Sequence, residues 1–114
     1  MGRFLQVRVS VRTVDEEPVA AAWPRLIRLA WSEGLPPEGQ RGVLELTAAL
    51  FDRLALGMLP PDAAQALDAS IRKAEAGRLA LEEALAARQP AAADKRTYDI
   101  EDALDEAEER AGKL

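Results

Sequence analysis

The chain has 114 residues, a formal net charge of −5, 48% hydrophobic and 31% charged residues, which suits one folded domain with a single modest core and excludes a disordered chain. It contains no cysteine and no histidine, so disulfides, thiol nucleophiles, zinc–thiolate sites and the commonest general base are all excluded. No run of about 18 apolar residues exists to cross a bilayer, and the N-terminus lacks a signal-peptide core, so a cytoplasmic protein is expected.

Residues 4–14 read Phe-Leu-Gln-Val-Arg-Val-Ser-Val-Arg-Thr-Val. Leu5, Val7, Val9 and Val11 alternate with Gln6, Arg8, Ser10 and Arg12, the period of a strand with one buried and one wet face. No other stretch reads as convincingly. A strand must pair its backbone groups, so the expectation is pairing between subunits through Leu5, Val7, Val9 and Val11. An extended piece at 96–100 is the intrachain alternative.

Asp15-Glu16-Glu17-Pro18 is a helix start, and a helix over about 18–32 follows, kinked or restarted at Pro24. Trp23, Leu26, Ile27 and Ala30 share one face, with Trp31 flanking it as a further candidate for a subunit interface. Two glycines and two prolines in 34–40 make a loop. The clearest helix, about 41–58, carries Val43, Thr47, Leu50 and Leu54 in one stripe. Asp62 and Gln65 resemble a capping box opening a helix over about 62–88. Its apolar positions Leu67, Ile71, Ala74, Arg78, Leu81 and Leu85 are spaced as a heptad seam, with Gly77 as a potential break. Pro90 to Asp94 reads as a linker, and Thr97 as the cap of a last helix over about 97–111. The expected fold is α+β and mostly α, with one N-terminal strand and three to four helices. The division is a domain over 1–90 and a linker with an acidic helix over 91–114.

Charge is unevenly placed. Residues 97–114 hold seven acids against Arg110 and Lys113, whereas 1–14 hold three arginines and no acid. The acids of the tail lack the glycine of a calcium loop, so they read as a solvated face, with no metal and no cofactor expected. Ile100, Leu104, Asp105 and Glu108 are candidates for docking a basic protein partner, or the basic N-terminal strand of the same molecule. No nucleophile elbow, phosphate loop or dinucleotide fingerprint occurs. The chain therefore reads as a non-catalytic, homo-oligomeric interaction or regulatory protein.

The order strand, helix, turn, helix over residues 4–58 resembles the ribbon-helix-helix DNA-binding proteins, in which two chains pair their N-terminal strands in the major groove. The resemblance implies Gln6, Arg8, Ser10 and Arg12 as nucleic-acid contacts. With the acidic end, the layout is similar to that of antitoxin-type regulators. DNA binding is the second expectation.

Overall fold

The computed structural model describes residues 2–7 and 11–114, with the backbone alone at Gln6, Val7 and Val11. Among them it has two short strands and five helices. The expected single strand is instead a hairpin. β1 (Leu5–Val7) pairs antiparallel with β2 (Val11–Thr13), matching Leu5 with Thr13, Gln6 with Arg12 and Val7 with Val11. The Val14 amide donates to the Phe4 carbonyl at 3.0 Å and extends the pairing. Odd residues pair with odd ones, so the alternation is the same for a straight strand and for this hairpin. The strand thus finds its partner within the chain, and the need for a second subunit lapses. The 96–100 alternative is helical.

Two three-residue strands have little stability of their own, so the hairpin is held from both sides. Leu5 is fully buried. On the other strand, the Thr13 hydroxyl accepts the Val43 amide at 2.8 Å, at the start of α3. Gly42 permits this approach, because a β-carbon there would collide with the Thr13 hydroxyl.

The segment expected as one helix over 18–32 forms two, α1 (Glu17–Ala22) and α2 (Pro24–Ala30). Asp15 Oδ1 accepts the Glu17 amide at 3.1 Å. Trp23 leaves helical geometry at φ −130° and ψ 56°, as a residue before proline does, and Pro24 opens α2. Trp23 is fully buried and meets Phe4 edge-to-face, with ring centroids 5.1 Å apart.

α3 (Val43–Ala55) begins with the Glu45 carboxylate accepting the Gly42 amide at 3.0 Å. It ends at Gly57, whose φ is +68°. There Met58 N–H donates to Arg53 O at 2.8 Å and Gly57 N–H to Leu54 O at 3.2 Å, the bonding of a left-handed helix stop. α4 (Pro61–Ala86) starts at Pro61, and its Asp62 makes no cap. It runs unbroken through Gly77. α5 (Pro90–Ala111) begins at Pro90, so the expected linker is its first turn. Proline fits that position because the first helical N–H has no partner in the helix. Thr97 is buried inside α5 and donates to Asp94 O at 2.6 Å.

The short 87–89 connection folds α5 back along α4, with Gly77 against Ile100. Leu67, Ile71, Ala74 and Leu81 of the heptad seam are buried within the chain. Its odd member, Arg78, is paired by Glu75 at 2.7 and 2.8 Å and by Glu82 at 3.0 Å. The Glu75 hydrogen bonds raise the Arg78 pKa above the ordinary arginine value, against an opposing effect of burial. α3 packs on α4, α2 bridges α3 and α5, and β1 lies on α5. No helix of the described residues is long and apolar enough to cross a membrane.

Candidate functional site

The acidic face of α5 is occupied from within. Ile100 and Leu104 are fully buried and Glu108 is buried beside them, so these docking candidates are core residues of the chain itself. Glu101, 1% exposed, accepts the amides of Arg3, Phe4 and Leu5 at 2.7, 2.9 and 3.1 Å. Gly2 sits so close that a β-carbon would lie 2.7 Å from the Glu101 oxygens. Asp105, the exposed member of the set, accepts the Trp23 indole N–H at 2.9 Å and the Arg3 guanidinium at 2.8 and 3.0 Å. Glu108 accepts the Arg25 and Leu26 amides at 3.0 and 3.1 Å, and Arg25 Nη1 at 3.0 Å. These amides open α2, and a carboxylate at a helix N-terminus is favoured by its unpaired donors and dipole. Sequence reading misses the burial of Glu101 and Glu108 because their partners are largely backbone N–H groups, which leave no complementary residue type to find. Asp105, in contrast, is met by the side chains of Arg3 and Trp23.

The polar hairpin face is only partly described. Arg12 is exposed, carries no ion pair among the described residues, and lies opposite Gln6. Arg8, Val9 and Ser10 lie outside the described residues, as do the side chains of Gln6, Val7 and Val11. In a two-chain ribbon the strand pairs with its copy across a symmetry axis, whereas here one edge of β1 pairs with β2 of the same chain.

Trp31, the remaining candidate for a subunit interface, is half-buried. Trp31 and Ile27, one turn apart on α2, form one wall of a groove of about 260 Å³, with Ala20 of α1 and Leu35 completing the apolar lining. Leu35 is 56% exposed. Its loop is held open by specific bonds. The Glu16 carboxylate accepts the Gly39 amide at 3.0 Å and the Arg41 amide at 2.8 Å. Arg41 Nε donates to Pro36 O at 2.6 Å. Gly34 and Gly39, at φ +137° and +91°, take backbone angles that other residues avoid. The Gly39 and Arg41 amides hold the Glu16 carboxyl below the ordinary carboxylate pKa, with the Arg41 charge adding a smaller push and burial opposing.

The rim of the groove is acidic. Glu17 and Glu38 are exposed and have no ion-pair partner among the described residues. Trp31 next to a Gly/Pro-rich loop was legible in the sequence; the part played by Glu16, Leu35 and Glu38 was not. No protein-family model matches the chain, and no curated protein or solved structure matches it. Function therefore rests on its own geometry.

A wider trough of about 580 Å³ runs between α4 and α5, floored by Ala76, Gly77, Ala80 and Ala103. Of its charged lining, Lys73 pairs with Glu106 at 3.7 Å and Arg96 with Asp99 at 3.0 Å, and Asp102 lies beside them. Among the described residues no group of three or more acidic side chains is placed to hold a metal ion.

Proposed function

We propose that the protein is a non-catalytic interaction or regulatory protein whose binding surface is the Trp31 groove. The observation that supports this is Leu35, a large apolar side chain more than half exposed beside half-buried Trp31, on a loop fixed by hydrogen bonds to Glu16. A surface that is apolar and already ordered costs little to bind. The absence of histidine and cysteine from the sequence supports the non-catalytic part. A cytoplasmic location belongs to the same proposal.

The test is affinity capture with the wild-type chain and with Leu35→Glu, a substitution at an exposed loop position. Loss of co-purifying protein with Leu35→Glu supports the reading, and an unchanged set overturns it. Homo-oligomerisation is judged separately, since the strand no longer requires it. Light scattering that returns the 12.4 kDa monomer mass at micromolar concentration ends that part.

DNA binding keeps one supporting observation, the exposed Arg12 of the hairpin, without an ion pair among the described residues. Arg12→Ala should then weaken salt-sensitive binding to duplex DNA, and no binding at low salt dismisses it.

A further inference from the structure

We propose that the Trp31 groove takes a basic peptide segment of another protein, with one large apolar side chain seated between Ile27, Trp31 and Leu35 and its cationic neighbours meeting Glu17 and Glu38. The proposal rests on the groove being the binding surface. Its volume of about 260 Å³ falls below the range of about 300–1,000 Å³ typical of small-molecule sites, and suits one anchoring side chain.

The rim decides the chemistry of the occupant. Glu16 is committed to the Gly39 and Arg41 amides, and Arg41 Nε is bound to Pro36 O. Glu17 and Glu38 remain exposed without ion pairs among the described residues. The hydrogen bonds of Glu16 and Arg41 to neutral backbone groups leave both charges in place. The lining therefore carries Glu16, Glu17 and Glu38 against Arg41 alone, and the field over the groove is negative. A second copy docking about a two-fold axis would set two such rims against each other, which is unfavourable. A segment bearing lysine or arginine meets them with opposite charge. The apolar anchor supplies most of the affinity, and the rim supplies selectivity.

The chain provides its own reporter. Of its two tryptophans, Trp23 is fully buried, so an emission change on binding reports Trp31. The probes are three blocked heptapeptides with a central leucine flanked by lysines, by glutamates or by serines. The lysine peptide should bind with a Kd of about 0.1–1 mM. Replacing its leucine with glycine should weaken binding about tenfold. The double variant Glu17→Lys, Glu38→Lys should weaken it about tenfold as well, with circular dichroism checking that the fold is kept. Failure of the lysine peptide to bind at millimolar concentration overturns the proposal, and so does equal binding of the glutamate peptide or indifference to the double variant. If the serine or glutamate peptide binds at Trp31 in its place, the basic partner is wrong and the groove reading stands. If no peptide binds and Leu35→Glu leaves capture unchanged, both fall.

Discussion

Gly77 of α4 lies against Ile100 of α5, so closely that a β-carbon on the glycine would come within 2.9 Å of Ile100 Cγ1. Ile100 is fully buried and cannot swing away. The helix therefore keeps a poor helix former at a point where the two long helices are in close contact.

Gly77→Ala gains roughly 1 kcal/mol of helix propensity and meets an overpacking cost of about 1–3 kcal/mol. A net loss of about 1 kcal/mol is expected from urea unfolding. The sign should reverse in an Ile100→Ala background, where the added methyl enters the space left by the isoleucine. Additive effects of the two substitutions would refute the contact.

Glu101→Ala strands three backbone amides that have no other acceptor among the described residues. A loss of about 3 kcal/mol is expected, because hydrogen bonds to a buried charge are the strong ones. Hydrogen exchange at Arg3, Phe4 and Leu5 should accelerate. Glu101→Gln keeps one accepting oxygen and should fall between. Unaltered exchange at these three amides in Glu101→Ala would show that the carboxylate does not hold the arm.

These two contacts show what the sequence could carry. α3 is legible because its apolar stripe at Val43, Thr47 and Leu50 is buried as its spacing demands. The hairpin is not, because its register pairs Leu5 with Thr13, Gln6 with Arg12 and Val7 with Val11, so the alternation runs on unchanged from one strand into the other. The start of α5 is misread because proline signals both a linker and a first helical turn. Asp102 and Glu109 of α5 face solvent as expected, but Glu101 and Glu108 are buried, and the sequence hides this because their partners include amides of residues 3–5 and 25–26. Of the groove, Trp31 and the glycine-rich loop are visible in the sequence. The clasp from Glu16 to Gly39 and Arg41 is visible only in three dimensions.

Arg88 and Gly57 occupy equivalent positions with opposite fitness. Arg88 has φ +56° just past α4, with Gln89 N–H donating to Ala84 O at 2.9 Å and Arg88 N–H to Leu85 O at 3.0 Å. This is the helix stop that α3 makes at Gly57. A side chain in the left-handed region is strained by about 1 kcal/mol relative to glycine. Arg88→Gly should raise the melting temperature and Gly57→Ala should lower it. Shifts of the same sign would contradict the shared geometry.

Glu16 should make the Trp31 groove sensitive to acid. Its carboxyl is held below the ordinary value chiefly by the Gly39 amide, then by the Arg41 amide. With a folded pKa below the unfolded one, the unfolded state binds more protons through the interval between them. The contribution is therefore fully present above the ordinary carboxylate range and is lost as pH falls through the depressed folded pKa. Solvent screening keeps it small for global stability, so the readout has to be local. Amide shifts of Gly39 and Arg41 should titrate together, with a midpoint below that of an unperturbed glutamate. Trp31 emission should move at the same midpoint, because releasing the two amides loosens the loop that carries Leu35. Glu16→Gln, which keeps one acceptor and has no proton to gain, should flatten both curves. A Trp31 transition that persists in Glu16→Gln would show that the clasp from Glu16 to Gly39 and Arg41 does not govern it.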